Sequence, residues 1–457
     1  MSIVTVNPAT GQPLETYELM ARERALQILT DSQAAYVKWR ERPLPERCDL
    51  LLKLAAVLRS GCERYARLMS LEMGKPLSEG LGEVEKCAWL CEVYAENGAA
   101  WLADEPVAVD GHAHRVIYQP LGVVLSIMPW NYPFWQALRF GVPTLLAGNT
   151  SLLKHASNVT GCGLAIEECF VEAGFPADVF RTVVTDHGTV AELIARDEVR
   201  GVSLTGSTEV GSRIAALAGQ HLKKVVLELG GSDPFLVLED ADIEFAARGA
   251  VTGRMLCTGQ SCIAAKRFIV TEPVAAAFSA RFATLMAELR MGDPLDPATQ
   301  VGSMVNEQER ATLAAQLQDA VDRGAQVLTG GAPAAGRGCF YPPTVVGGVT
   351  REMRLMREEV FGPVAPVIVV ADEDEAIAVA NDSEFGLGGS VWTADLARGE
   401  RVARRLEVGT VFVNSITKSD PRMPFGGVKK SGLGRELSRF GLREFTNIKG
   451  LNIYTQG

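Results

Sequence analysis

The sequence predicts an α/β protein of two lobes built on largely parallel sheets, and three observations carry that reading. Short apolar runs alternate with helical stretches from Gly122 to about Glu228. A second alternation of the same kind runs from about Asp233 to Phe425. At 457 residues the chain also exceeds one ordinary domain. Alternating strands and helices favour parallel pairing, because a parallel crossover needs a helix-length connection and covers both sheet faces.

From Ala21 to about Ala103, apolar residues recur at spacings of three and four, which predicts two or more long amphipathic helices. VAVDGHAHRVIYQP then alternates apolar and polar residues about Asp110-Gly111, the usual dipeptide of a two-residue hairpin turn. In the first lobe the strands are read in VVLSIMPW, TSLLKHAS, FRTVVT, GVSLTGS and VVLELGG, with a helix in GCGLAIEECFVEAGF. The second lobe places strands in PFLVL, RFIV, APVIVV and TVFVNS. The tail REFTNIKGLNIYT reads as one more extended strand, able to join the hairpin in an arm that pairs with a neighbouring subunit.

Composition excludes several classes. Hydrophobic residues make up 47% and charged residues 22%, which is globular. A formal charge of −10 without any long Lys/Arg run argues against nucleic acid. The opening MSIVTVNPATGQPLE has neither a basic n-region nor an apolar h-region, and no stretch offers 18 uncharged apolar residues, so no signal peptide or membrane span is expected and the cytoplasm is the expected location. Nine cysteines without a CxxC pair give no disulfide framework and no metal site. Most are expected to be small buried hydrophobes.

Cys262 stands out by its setting, in Gly259-Gln260-Ser261-Cys262 at a glycine turn just ahead of the apolar strand IAAKRFIV. Thiolate chemistry needs a base, and none of the five histidines suggests a Cys-His pair. Glu228 is the alternative, a single acid closing the apolar run VVLELGG, where burial raises a carboxyl toward neutrality; the competing reading is a salt-bridged strand end. Asn131 follows the strand VVLSIMP and can donate to a developing oxyanion, or be merely a turn residue. Thr205-Gly206-Ser207-Thr208-Glu209-Val210-Gly211 follows a strand and opens a helix, a geometry that points backbone N–H groups at phosphate.

Taken in order, Pro129-Trp130-Asn131, Lys154, TGSTEVG, LELGG, GQSC, EEVFGPV and PFGGVKKSGLGRE resemble the aldehyde dehydrogenase superfamily over nearly the whole chain. The resemblance implies a Rossmann-like cofactor domain (1–101 and 121–229), an α/β catalytic domain (230–427) and a β-hairpin oligomerisation arm (102–120 and 438–457). It implies that Cys262 attacks the aldehyde, that Asn131 and the Cys262 N–H hold the oxyanion, and that Glu228 activates water to hydrolyse the thioester. Ile127, Trp130, Gly206, Ser207, Glu359 and Phe361 would line the cofactor cleft, and Lys154 would reach the adenosine ribose. A homodimer or homotetramer is implied.

Lys154-His155-Ala156-Ser157 departs from the commoner Lys-Pro-Ala-Glu. A Glu there would accept from both ribose hydroxyls of NAD but repel the 2′-phosphate of NADP. Ser157 removes that repulsion, so NADP is the expected cofactor, with NAD possible. KHASNV, LELGGSDPF, GQSCIAAKRFIV and MPFGGVKKSG are most similar to bacterial succinate-semialdehyde dehydrogenases, in which Arg139 would face the substrate carboxylate and Ser419 would sit in a substrate loop. A second arginine that some members carry six residues before the cysteine is Leu256 here, and a second thiol found two residues after it in some relatives is Ala264. Other semialdehydes, general aliphatic or aromatic aldehydes, and a cofactor-independent cysteine esterase are the rival readings.

Overall fold

The computed structural model describes residues 2–454. Two mixed sheets dominate it, both almost wholly parallel. In the first, the spatial order is Gly432–Leu433, Lys224–Glu228, Val199–Thr205, Val123–Met128, Thr150–His155 and Phe180–Thr182, with only the first strand antiparallel. The chain starts at Val123–Met128, winds outward through the next two strands, and returns to the other side of its first strand with Val199–Thr205. The winding direction thus reverses between Val123–Met128 and Val199–Thr205, and the crevice beyond their carboxyl ends is where such sheets bind ligands.

The second sheet runs Gln326–Thr329, Thr344–Gly347, Val364–Val370, Ala265–Thr271, Asp233–Val237, Gly388–Trp392 and Thr410–Val413, antiparallel only at its first pair. Its central strands, Asp233–Val237 and Ala265–Thr271, are buried along their whole length. Neither shows the alternation of a half-exposed strand: FLV and FIV are continuous apolar runs, as strands covered on both faces require, with Lys266 and Arg267 buried at the start of the second.

The helical reading of the first hundred residues resolves into four helices: Arg22–Trp39, Leu44–Ser60, Cys62–Met73 and Leu77–Trp101. Pro43 and Pro76 precede the second and fourth, and Gly74 ends the third in a left-handed conformation. Their apolar stripes share a core with the helices Pro133–Leu146 and Thr160–Glu172 of the first lobe.

The hairpin is lopsided. Its register, Glu105↔Val116 and Pro106↔Arg115, is centred on Asp110-Gly111, yet the first strand is only Glu105–Pro106 while the second runs Ala113–Pro120. Val107 and Val109 are exposed, with nothing to bury them. The long strand instead takes eight paired positions with Thr446–Ile453, from Thr446↔Pro120 to Ile453↔Ala113. The arm expected from 438 begins as the helix Ser438–Glu444, so the extension read from Arg443 starts only at Thr446, and residues 455–457 lie outside the described part. Among the strands not foreseen are Gln326–Thr329, Thr344–Gly347 and Gly388–Trp392 of the second sheet, the N-terminal pair Ser2–Val6 with Pro13–Glu18, and Gly432–Leu433, which carries the PFGGVKKSGLGRE segment onto the edge of the first sheet beside Glu228.

Candidate active site

Cys262 lies half-buried where the helix Ile243–Met255 gives way to the strand Ala265–Thr271. Three consecutive left-handed residues make that bend: Cys257, Thr258 and Gly259, with φ of 53°, 57° and 78°. Buried polar groups pin it. Arg254 donates to the Gly259 carbonyl at 2.6 Å and the Val360 carbonyl at 3.3 Å. Lys266 donates to the carbonyls of Ser261 at 2.8 Å and Cys262 at 2.6 Å. Burial pushes the Cys262 thiol up to about 12, against the pull of Lys266 and Arg139.

Asn131 stands beyond the strand Val123–Met128, at the crevice of the first sheet. Its Nδ2 donates to the Gln260 carbonyl at 2.9 Å, and its Oδ1 accepts from Gln136 Nε2 at 3.0 Å. These two bonds fix the amide plane and leave the second Nδ2 hydrogen for another acceptor.

Glu228 ends the strand Lys224–Glu228, buried and without a hydrogen-bond partner for either carboxylate oxygen among the described residues. Desolvation raises its carboxyl well above the ordinary value; Glu436 adds to this, and Arg139 and Arg435 oppose it. Its charge is near enough to raise the Cys262 thiol as well. Glycines make this convergence possible. A Cβ on Gly426 would stand 2.7 Å from Glu228 Oε1, one on Gly231 2.6 Å from the Cys262 carbonyl, and one on Gly230 2.5 Å from Glu359 Oε2.

Two cavities meet at Cys262. The first, of about 270 Å³, joins Trp130, Asn131, Gly206, Ser207, Glu359 and Phe361, drawn from both sheets. Ser207 caps the helix Thr208–Gln220 by accepting from the Val210 N–H at 3.3 Å, so that helix opens at the cavity. Glu359 is held by the Gly231 N–H at 3.0 Å and by Lys266 at 3.2 Å. The rings of Trp130 and Phe361 stand edge to face with centroids 5.8 Å apart. Lys154 and Ser157 line a separate hollow of about 210 Å³ with Thr185 and His187, and Ile127 is half-buried in the strand below the crevice, outside these linings. His155, where the commoner pattern has proline, is buried: its Nε2 donates to the Pro133 carbonyl at 3.0 Å, and burial drops the ring to about 4.

The second cavity, of about 530 Å³, is apolar around Trp135, Met255, Ile263, Ile416 and Phe425 and carries Lys86, Arg139 and Ser419. Arg139 lies in its wall but is not a free clamp. Its guanidinium is paired with the buried Glu436 and sits over the Phe425 ring, 4.7 Å from its centroid.

The Aldehyde dehydrogenase family pattern matches residues 1–451. The chain belongs to the aldehyde dehydrogenase family. It is 46% identical to the Escherichia coli protein named succinate semialdehyde dehydrogenase [NAD(P)+] Sad, over 98% of this chain and 96% of that one. It is 45% identical to a Mycobacterium ulcerans succinate-semialdehyde dehydrogenase [NADP(+)], over 98% and 99%. The crystal structure of a succinic semialdehyde dehydrogenase from Streptococcus pyogenes in complex with NADP+ superposes with a TM-score of 0.97 at 36% identity, over 99% of this chain and 100% of that one.

Several residues of this aldehyde dehydrogenase site were not legible in the sequence. Gln136, Arg254 and Lys266 are polar positions in apolar segments, and Glu436 closes the PFGGVKKSGLGRE motif; neither signal said which groups they would serve. Glu83, buried and paired with Lys75, accepts from the Phe134 and Trp135 N–H groups at 2.9 Å each and so caps the helix that follows Asn131. Gly259 had a clearer signal, and its substitution tests the turn. A Cβ there would lie 2.4 Å from the Gly362 carbonyl carbon in a left-handed backbone. Gly259→Ala is expected to destabilise the fold by ~2–5 kcal/mol, visible as a lower urea midpoint.

Proposed function

We propose that this protein oxidises succinate semialdehyde to succinate, with NADP+ as the preferred acceptor and NAD+ as a poorer one. The observation that carries the reading is the position of Cys262 between two cavities, one opened by a helix N-terminus and one furnished with cations and a serine for a carboxylated chain. The kinship with enzymes named for this substrate supports it.

The residues fit the cofactor. The N-terminus of Thr208–Gln220, with Gly206 and Ser207, suits a pyrophosphate, and Glu359 suits ribose hydroxyls. Trp130 and Phe361 supply apolar walls, and Ile127 lies beneath them. In the adjoining hollow, Lys154 is partly desolvated, which holds its ammonium below the ordinary value, and Ser157 leaves no carboxylate to repel a 2′-phosphate. Bound there, NADP+ would supply the hydride acceptor, held by Ser207, Glu359 and Phe361 in the cavity that Cys262 also lines.

The protein's own groups divide the work. The Cys262 Sγ, once deprotonated, forms a bond to the carbonyl carbon. Asn131 Nδ2 and the Cys262 N–H donate to the oxygen as its charge develops. Loss of hydride leaves a thioester on Cys262. Glu228 takes a proton from water, whose oxygen bonds to the thioester carbon, and the carbon–sulfur bond then breaks to release the acid and the thiolate. Arg139, paired with Glu436, keeps positive charge near both the thiol and Glu228.

Segments 1–101 and 121–229 serve cofactor binding, 230–427 catalysis, and 102–120 with 438–457 subunit pairing as a dimer or a pair of dimers. The outer strand Thr446–Ile453 supports the last assignment, with a free edge and exposed Ile448, Ile453 and Tyr454. A cytoplasmic location agrees with nine free cysteines and with the absence, among the described residues, of a helix long and apolar enough to cross a membrane.

The test is steady-state oxidation of succinate semialdehyde, glutarate semialdehyde, butanal and benzaldehyde with each nicotinamide. The highest kcat/KM is expected for succinate semialdehyde with NADP+, and Ser157→Glu should move the NADP/NAD ratio at least ~10-fold toward NAD. A wild-type preference for the neutral aldehydes would defeat the reading.

A further inference from the structure

The cavity on the far side of Cys262 is lined by charged groups that the chemistry above does not use: Glu79, Glu83, Lys86 and Lys418. Lys86, on the helix Leu77–Trp101, is half-buried in that wall. Its Nζ donates to Ser419 Oγ at 2.7 Å and sits over the Trp135 ring, 4.3 Å from the centroid.

Lys86 lacks the carboxylate partner that three neighbouring buried cations have. The other two lysines deep in the site are neutralised, Lys75 by Glu83 and Lys266 by Glu359. Arg139 is committed to Glu436. Among the described residues, no carboxylate lies within ion-pair distance of Lys86. A half-buried ammonium loses part of its hydration, so leaving it without an anion costs stability unless something else returns the energy. Lys418, at the same rim, is exposed and well screened, and carries no such argument.

We infer that Lys86, together with Ser419, receives the distal carboxylate of the aldehyde substrate and is the principal determinant of the preference for carboxylated over neutral aldehydes. The inference rests on the reading of the substrate as a semialdehyde and deepens it. It accounts for two features at once. Leu256 stands where some relatives carry a second arginine, and Arg139 is bound to Glu436, so the anion site needs a cation from another element. Lys86 provides it from a helix that no motif marks. Ser419 then has two roles: its oxygen accepts from the ammonium, and its hydrogen is free to donate to the carboxylate. Trp135 under the ammonium holds the charge in place before substrate arrives.

The charges around Lys86 agree. Burial lowers its ammonium to about 8; Arg139 pushes the same way, whereas Glu83, Asp420 and the Cys87 thiol oppose. Of the acids lining the cavity or facing Lys86, Glu83 is paired with Lys75 and caps the helix after Asn131, Asp420 is bound by Arg422 at 2.7 Å, and Glu79, raised to about 7 by burial, accepts from the Cys257 N–H at 2.9 Å. A substrate carboxylate, ionised throughout the neutral range, meets a charged lysine below pH ~8 and a neutral amine above it.

The experiment compares wild type, Lys86→Met and Lys86→Arg by the ratio of kcat/KM for succinate semialdehyde to that for butanal, an uncharged aldehyde of the same chain length, from pH 6.5 to 9.5. In wild type the ratio should exceed one and fall as pH rises through about 8. Lys86→Met should lower the ratio ~10–100-fold, chiefly through KM for the semialdehyde, and flatten its pH profile. Lys86→Arg should retain most of the ratio, with the pH step moved out of range. Taking the ratio cancels titration of Cys262 and Glu228, which act on both substrates alike. If Lys86→Met leaves the ratio within threefold, or lowers both substrates equally, the assignment of Lys86 is overturned while the semialdehyde reading stands. If wild type itself prefers butanal, the reading falls and this inference with it.

Discussion

Cys262→Ala is expected to abolish oxidation, lowering kcat by ~10⁴ or more while leaving NADP+ binding intact. The size of the loss follows from the absence of a substitute. Cys257 is the other thiol at the turn, but it is buried, donates to the Asn131 carbonyl at 3.3 Å, and is pushed up to about 12 by burial. Without a bond to sulfur, the aldehyde carbon carries no oxyanion able to expel hydride, and Asn131 has nothing to stabilise. The cofactor cavity takes its shape from Trp130, Ser207, Glu359 and Phe361, none of which depends on the thiol. Progress at 340 nm and quenching of intrinsic fluorescence by NADP+ measure the two halves. Retention of more than one per cent of the wild-type rate would remove Cys262 from the chemistry.

The second large effect separates the two half-reactions. Glu228→Gln is expected to lower steady-state turnover ~10²–10⁴-fold yet to preserve a burst close to one NADPH per active site in the first turnover, because the acid acts after the hydride has left. Stopped-flow absorbance resolves the burst from the slow phase. The pH dependence carries the same assignment. Burial and Glu436 raise the Glu228 carboxyl above the ordinary carboxylate range, and in its protonated form it cannot take a proton from water. Hydrolysis should therefore quicken as pH rises toward that carboxyl's raised value and slow as pH falls below it, and the variant should lack this limb. A variant without any burst would show that Glu228 is needed before hydride transfer, as the base for the Cys262 thiol.

The degree to which the site was legible differed from residue to residue. Cys262, Glu228 and Asn131 sit where a strand end or a glycine turn meets an apolar run, so local pattern made them candidates and the family resemblance assigned the proposed roles. The parallel lobes were legible because strands buried on both faces leave continuous apolar runs. The hairpin was less so: alternation placed its centre correctly at Asp110-Gly111 but could not tell that Ala113–Pro120 would pair mainly with Thr446–Ile453. Arg139 was placed in the substrate pocket, but its engagement with Glu436 is a contact between residues almost three hundred positions apart. No spacing rule reports such a contact. Lys86 was invisible for the same reason, being a lysine outside any motif, on an amphipathic helix, until Ser419 is brought beside it.

The amino-acid sequence by itself determined the α/β class, the strand–helix alternation and the family, and it nominated Cys262 and Glu228 as nucleophile and acid. These depend on local periodicity, on glycines that permit close backbone approach, and on motifs read along the chain. Only the tertiary structure decided which charges are neutralised and which are left facing the substrate. That outcome depends on desolvation and on partners from distant elements, and neither exists until the two sheets close around Cys262.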